Sequence, residues 1–110
     1  MVHIKDITKI YRSGRKEVCA LRSVSLSVEK GEFLTIVGPS GSGKSTLLLM
    51  IGGMLHSTEG KVIVGGTDIY SLSNRERARF RAERIGFVFQ MFYLIPYLSV
   101  WENVSLPEIT

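Results

Sequence analysis

The chain has 110 residues, 45% of them hydrophobic, which is enough for one small core and excludes a second complete domain. Its 14 basic and 10 acidic side chains give a formal charge of +4. No apolar run is long enough to cross a bilayer and the N-terminus lacks a signal core, so the sequence predicts a soluble or peripheral chain. Cys19 is the only cysteine, which excludes an internal disulfide, favours a reducing compartment and predicts a buried thiol.

The first predicted elements are β-strands. Residues 2–11 interleave apolar and polar side chains, a pattern that predicts an edge strand facing water on one side. A basic turn at residues 12–16 follows, and residues 20–28 alternate in the period of two typical of a second strand. Lys30-Gly31 then turns the chain into the apolar residues 33–37, which predict a buried strand.

The second half predicts alternating helices and strands. Residues 46–51 form an apolar helix that Gly52-Gly53 closes, and residues 61–64 form a short strand. Ser73 and Glu76 have the spacing of a capping box for a helix that runs to about Arg84. Residues 85–89 predict another buried strand, and residues 99–105 predict a short helix.

A phosphate-binding P-loop motif, G-x-x-x-x-G-K-[S/T], lies between the strand at residues 33–37 and the helix that follows. Its candidate nucleotide-binding residues are Gly38, Pro39, Ser40, Gly41, Ser42, Gly43, Lys44, Ser45 and Thr46. The glycines let backbone N–H groups converge on phosphate oxygens, Lys44 is expected to reach the β and γ phosphates, and Ser45 is expected to coordinate Mg²⁺. A glycine-serine linker is the alternative, but linkers do not lie between two strongly apolar segments. The motif therefore predicts an α/β P-loop nucleotide-binding fold.

Two further segments have distinctive compositions. Five arginines fall within residues 75–84, interrupted by Glu76 and Glu83, which favours a solvated helix surface over a nucleic-acid face. Residues 87–101 hold six of the ten aromatic side chains. Pro96 prevents residues 90–97 from forming one regular element, so we expect part of this apolar surface to be exposed for a partner, with plain core as the alternative.

Together these features resemble the ATP-binding subunit of an ABC transporter, most closely the branch of macrolide-export and lipoprotein-release systems. The resemblance rests on Tyr11 before the basic turn, Gly31-Glu32, the form of the P-loop, Gly52-Gly53, and residues 84–90 with Glu102-Asn103-Val104 following. It implies a P-loop NTPase fold of the ABC type, with an antiparallel β portion leading into the P-loop strand and helix.

The resemblance also implies roles for individual residues. Tyr11 would stack on adenine, and Gln90 would be the glutamine that joins the Mg²⁺ shell and, with Lys44, serves catalysis. The segment after Gln90 would dock against a membrane-embedded permease, and a second ATP-binding subunit would complete the system, with no nucleic-acid partner. The expected location is the cytoplasmic face of the inner membrane, as a peripheral protein.

The sequence also departs from the family. The Leu-Ser-Gly-Gly-Gln signature is absent, as are the Walker B strand with its Asp-Glu pair and the switch histidine. Residues 1–110 thus resemble the N-terminal part of a single ATP-binding domain, expected to bind nucleotide but not to hydrolyse it alone. The alternatives are a non-functional fragment, an ABC-type ATPase of DNA repair or translation, and a P-loop kinase or GTP-binding switch.

Overall fold

A computed structural model describes residues 1–106 of the chain. Its elements, in chain order, are β1 (Val2–Ser13), β2 (Lys16–Val28), α1 (Lys44–Ile51), β3 (Glu59–Val64), β4 (Thr67–Asp68), α2 (Asn74–Arg84) and α3 (Val100–Ser105). The four strands form one antiparallel sheet in the order β2-β1-β3-β4. The expectation that residues 2–11 form an edge strand is therefore wrong, because β1 lies between β2 and β3.

The β1–β2 hairpin turns at residues 14–15, as the basic turn predicts, and is longer than the alternating pattern suggested. Its register shifts three times between Ile4 and Ile10, and Asp6 takes a positive φ of 50° at one of these irregularities. Cys19 lies on the outer part of this hairpin and is exposed, so the predicted burial of its thiol is wrong. The hairpin extends beyond the core, where side chains no longer find a packing partner.

The core lies between the sheet and α1. The fully buried members come from β1, β3, α1 and the segment after β4: Ile7, Val62, Met50 and Ile69. Complete burial of a side chain of this size contributes about 1.5–3 kcal/mol each. Since Leu47 and Met50 are the buried residues of α1, the helix that follows the P-loop is held against the sheet by one apolar face.

Two predicted buried strands, residues 33–37 and 85–89, are not strands in the structure. Phe33 is 92% exposed and Val88 is fully exposed. A strand requires hydrogen-bonded neighbours, and within residues 1–106 neither segment pairs with the sheet. Phe87 packs against Gly52, and Phe89, although 45% exposed, stacks on Phe87 with ring centres 5.6 Å apart.

The two C-terminal helices begin where their capping residues predict. Ser73 and Glu76 form the expected capping box at the start of α2, and Ser99 and Glu102 form a second one at α3. The arginine-rich helix is less solvated than expected, because Arg77 is buried. Its guanidinium group is held by backbone carbonyls and polar side chains, which replace the water that a surface arginine keeps.

Residues 90–98 form no regular element, as Pro96 predicts. Several large apolar side chains of this segment and of α3 are exposed, among them Phe92, Tyr97 and Trp101. Within residues 1–106, no helix has the length and apolar character to span a membrane.

Candidate functional site

The P-loop leads directly into the N-terminus of α1. Gly41 has φ +80° and Gly43 has φ +95°, left-handed conformations that glycine adopts without strain. The Ser42 N–H donates to the Pro39 carbonyl at 3.2 Å, and the Gly43 carbonyl accepts the first helical hydrogen bond, from Leu47 N–H at 2.9 Å. The loop therefore has the tight turn and the helix start that the motif predicts.

The start of α1 differs from the starts of the other two helices. It has no side-chain cap and no acidic residue in its first turn, whereas α2 and α3 each begin with a complete capping box. The first N–H groups of α1 are thus free of a competing carboxylate. The partial positive charge of this helix terminus favours an anion at the loop.

The ammonium group of Lys44 lies against the loop that precedes it. Its Nζ donates to the carbonyl oxygens of Gly38 and Pro39, both at 2.7 Å, and to the Ser42 hydroxyl at 3.2 Å. These bonds hold a full positive charge beside the backbone donors of the loop and of α1. These three bonds use all three N–H groups of the ammonium, so an anion at the loop meets the charge of Lys44 and gains a hydrogen bond from it by replacing one of these acceptors.

Ser45 and Gln90, the two predicted metal ligands, line the same open groove, whose volume is about 970 Å³. The groove lies between α1, the end of α2 and residues 85–93, and most of its wall is apolar, including Leu48 and Phe87. The chain thus places two residues that are 45 positions apart in the sequence along one groove. Periodicity and motif spacing alone do not predict this shared groove, whereas the family resemblance implies that both residues reach the same ion.

The ligand chemistry of these two residues fits Mg²⁺ bound together with a nucleotide. Mg²⁺ prefers oxygen ligands, keeps several waters and takes few protein groups when phosphate oxygens are present. Within residues 1–106, no three His, Cys, Asp or Glu side chains cluster as they would in a site built from protein ligands. The Ser45 hydroxyl and the Gln90 amide therefore suit a shared site and do not form a complete one.

Tyr11, the predicted adenine-stacking residue, lies on β1 opposite Val18 and is 43% exposed. The Lys9 ammonium lies 5.1 Å from the centre of its ring. Gly43 of the P-loop packs against Leu21, which pairs with Lys9, so Tyr11 is two residues, roughly 7 Å, further along the strand. Tyr11 is thus partly exposed on the hairpin that the P-loop contacts, and Lys9 lies over one face of its ring.

Sequence reasoning missed the role of Asn103 near the segment after Gln90. The Asn103 Oδ1 accepts from Ile95 N–H at 2.9 Å, and its Nδ2 donates to the carbonyls of Ile95, Leu98 and Ser99 at 3.3, 3.2 and 3.0 Å. One side chain thus fixes residues 95–99 against α3. The only feature of the sequence that points to this role is the position of Asn103, four residues after Ser99, the capping residue of α3.

Comparisons with known proteins show which family the chain belongs to. The sequence matches the family described as ABC transporter over residues 21–110. The lipoprotein-releasing system ATP-binding protein LolD of Alcanivorax borkumensis is 45% identical over 107 residues, which cover 97% of this chain and 47% of LolD. The macrolide export ATP-binding/permease protein MacB of Bdellovibrio bacteriovorus is 46% identical over 109 residues, 99% of this chain and 17% of MacB.

A solved structure is similar over the same region. It is the dimeric, post-hydrolysis ATP-binding cassette MJ0796 of Methanocaldococcus jannaschii, bound to ADP and Pi. The TM-score is 0.94 at 47% identity, with 99% of this chain and 47% of that chain covered. The fold is therefore an α/β P-loop NTPase fold of the ABC type, and the chain spans about half the length of MJ0796 and LolD.

Proposed function

We propose, given that this chain belongs to the ABC transporter family, that it is the ATP-binding part of a transport ATPase. We further propose that residues 1–110 form the N-terminal part of one ATP-binding domain. The observation that carries the proposal is the P-loop itself, in which Lys44 is fixed by two loop carbonyls beside the uncapped start of α1. No other part of residues 1–106 combines a helix N-terminus, loop glycines and an anchored lysine.

In this proposal the backbone of residues 38–43 and the first N–H groups of α1 bind the phosphate oxygens of ATP. Lys44 contacts the β and γ phosphates, and Pro39, Ser40 and Thr46 complete the loop contacts. The face of Tyr11 stacks on adenine, an interaction that needs no hydrogen bond to the base. The exposure of Tyr11 supports this role.

Mg²⁺ bound to ATP neutralises phosphate charge and orients the oxygens for displacement. The Ser45 hydroxyl and the Gln90 side-chain oxygen are the protein groups proposed to hold it, and their common groove supports this assignment. Lys44 and Gln90 would serve hydrolysis in the complete domain. The signature motif, the Walker B residues and the switch histidine are not found in this sequence, so these 110 residues are proposed to supply binding and not hydrolysis.

The proposed partners are a membrane-embedded permease and a second ATP-binding subunit. Docking of a permease is proposed at residues 91–101, the segment after Gln90. Its exposed apolar side chains, which include Phe92, Tyr97 and Trp101, support this assignment. The chain would then lie at the cytoplasmic face of the inner membrane as a peripheral protein. The dimer reported for MJ0796 supports the second subunit.

The structure gives little support to a nucleic-acid-binding function. Of the five arginines in α2, Arg77 is buried, Arg79 pairs with Glu83 at 2.7 Å, and Arg81 donates to the Gly53 carbonyl at 2.8 Å. These three guanidinium groups are engaged within the chain and do not form a continuous cationic face.

Calorimetric titration of the chain with ATP, ADP and AMP, with and without Mg²⁺, tests the proposed function. We expect one site that binds ATP and ADP and binds AMP much more weakly, because the loop recognises the β and γ phosphates. A thermal unfolding scan of the same sample establishes that the chain is folded. A folded chain that binds no nucleotide, or binds AMP as tightly as ATP, would contradict the proposal.

A further inference from the structure

Arg77 is the one charged side chain that is buried among residues 1–106, with 4% of its surface exposed. Its Nη1 donates to the carbonyls of Ile69 and Leu72 at 3.4 and 3.3 Å, and its Nη2 donates to Asn74 Oδ1 at 2.5 Å. None of these acceptors carries a negative charge. A buried guanidinium group without a carboxylate is uncommon, so the remaining partner decides whether the arrangement is stable.

That remaining partner is His56. The Arg77 Nη2 lies 2.8 Å from the His56 Nε2. A guanidinium group only donates hydrogen bonds, so the imidazole must accept through an unprotonated Nε2. His56 is therefore neutral in this arrangement, with its single proton on Nδ1.

The contact is connected to the end of the P-loop helix. His56 lies five residues after the last residue of α1, and the stem of Arg77 packs against Gly53. The ring of Tyr70 lies 4.8 Å from the His56 ring, and the Tyr70 hydroxyl bonds the Met50 carbonyl at 2.6 Å and the Leu55 carbonyl. The segment that leaves α1 is thus held by side chains from α2 and from the residues after β4.

The charges around His56 and Tyr70 are mostly positive. Lys9 of β1 and Arg77 act on His56, and Arg77 and Arg81 of α2 act on Tyr70. The carboxylate of Asp68 accepts from the Tyr70 backbone N–H at 3.2 Å. His56 is exposed, and slight desolvation of its ring lowers its pKa, which Arg77 and Lys9 lower further. Burial raises the pKa of Tyr70 to about 12, so Tyr70 stays neutral as His56 titrates.

We propose that His56 and Arg77 form a pH-responsive latch that positions the C-terminal end of the P-loop helix. At neutral pH the imidazole accepts the Arg77 hydrogen bond and the latch is closed. Protonation of His56 places an N–H donor and a positive charge against the buried guanidinium group of Arg77. The hydrogen bond between the two side chains then breaks, and the latch opens. The latch itself depends only on these contacts, whereas its effect on nucleotide binding rests on the proposed function.

The first test is nuclear magnetic resonance of the imidazole nitrogens in the chain. The latch predicts the Nδ1–H tautomer for His56 and a titration midpoint below the ordinary histidine value of about 6.5. In Arg77→Met the midpoint should rise and the Nε2–H tautomer should appear, whereas Arg79→Met on the exposed side of α2 should change neither. An Nε2–H tautomer in the unmodified chain, or a titration of His56 that Arg77→Met leaves unchanged, would overturn the proposal.

The second test uses thermal unfolding between pH 7.5 and 5.5 and does not require Arg77→Met to fold. His56→Gln keeps an acceptor oxygen but cannot titrate, so its unfolding midpoint should fall less with acidification than that of the unmodified chain. Arg79→Met, which leaves both His56 and Arg77 in place, should retain the unmodified pH dependence. Equal pH dependence in His56→Gln and the unmodified chain would overturn the latch.

Nucleotide affinity measured over the same pH range separates the latch from the proposed function. ATP affinity that falls on acidification in the unmodified chain and less in His56→Gln supports an effect of the latch on the P-loop helix. ATP affinity with the same pH dependence in both would overturn the positioning role. Failure to bind ATP at any pH, with the His56 tautomer as predicted, would contradict the proposed function and leave the hydrogen bond of the latch established.

Discussion

Gly43 lies so close to Ala20 that a β-carbon on Gly43 would be 2.6 Å from the Ala20 carbonyl oxygen. The same β-carbon would lie 2.9 Å from a methyl group of Leu21. The last glycine of the P-loop is therefore required twice, once for its positive φ and once for the approach of the loop to β2. This contact joins the N-terminal hairpin to the candidate phosphate site.

We expect Gly43→Ala to lower the free energy of unfolding by about 2–4 kcal/mol, since it adds backbone strain and a steric overlap. Gly41→Ala is the matched control, because Gly41 has φ +80° but open space around its β-position, and should lose about 1–2 kcal/mol from strain alone. Urea unfolding of the two variants measures the difference. Equal losses would contradict the close approach of Gly43 to β2.

Asn103→Ala should loosen the segment after Gln90. It removes an acceptor for the Ile95 N–H and leaves three carbonyls without their donor, at an expected loss of about 1–3 kcal/mol. Hydrogen exchange of the Ile95 amide should become faster. Ser105→Ala, whose hydroxyl bonds carbonyls of its own helix, should leave that amide unchanged. An Ile95 amide insensitive to Asn103→Ala would show that the side chain does not hold the segment.

Ser73→Ala should destabilise the chain by about 1 kcal/mol at neutral pH, because it removes the N-cap of α2. Ser71→Ala, whose hydroxyl bonds the Asp68 carbonyl outside the capping box, is the control and should cost less. Urea unfolding at pH 7 measures both. A loss for Ser73→Ala no larger than that of the control would contradict the capping role.

The same capping box predicts a pH dependence. Hydrogen bonds from the Ser73 side chain and backbone hold the pKa of Glu76 below its ordinary value. Because the folded-state pKa is the lower one, this contribution is complete above the unfolded-state pKa of about 4.3 and is lost as the pH falls through the folded-state pKa. Glu76→Gln should remove this component from an acid unfolding profile. An unchanged acid profile would exclude a contribution from Glu76.

Tyr11→Ala should weaken ATP and GTP binding by similar factors, since stacking hardly distinguishes purines. Loss of one base stack of about 1–3 kcal/mol corresponds to roughly 5- to 150-fold in affinity. Tyr11→Phe should bind nearly as well as the unmodified chain, and Tyr97→Ala, at an exposed ring of the segment after Gln90, should leave affinity unchanged. Competition binding with both nucleotides measures these ratios, and selective loss of one base would contradict stacking.

Local patterns in the sequence predicted the structure well where neighbours along the chain decide it. The turn of the β1–β2 hairpin, the glycine loop before α1 and the capping box at Ser73 depend on residues a few positions apart. These signals determine local conformation directly, because turn glycines and capping serines act within one turn of the backbone.

Long-range pairing explains most of the errors. β1 becomes an internal strand because Val2 pairs with Val64, a contact that alternating hydrophobicity does not encode. Residues 33–37 and 85–89 have the composition of buried strands, but composition does not supply hydrogen-bonded partners, and residues 1–106 do not provide them. Sequence patterns report a tendency toward burial, whereas tertiary contacts decide which strands form.

The polar contacts of the candidate site also fall into two groups: those that a local motif predicts and those that depend on residues distant in the sequence. The P-loop motif predicts roles for Lys44 and Ser45, but only the family resemblance implies that Ser45 and Gln90 meet, and both line one groove. The burial of Arg77 also escaped prediction, because it depends on acceptors that lie from 3 to 21 positions away along the chain. Arginine is usually solvated, so the default expectation failed where several carbonyls converge on one side chain.

The most direct test of a phosphate-binding P-loop is the affinity of Lys44→Ala for Mg²⁺-ATP, measured by calorimetry beside Lys30→Ala. Loss of charged hydrogen bonds to phosphate, each worth about 1.5–3 kcal/mol, should weaken binding by Lys44→Ala at least about tenfold. Lys30→Ala should bind as the unmodified chain does, and thermal scans should show both variants folded. Folded Lys44→Ala with unchanged ATP affinity would contradict the assignment of this loop as the nucleotide site.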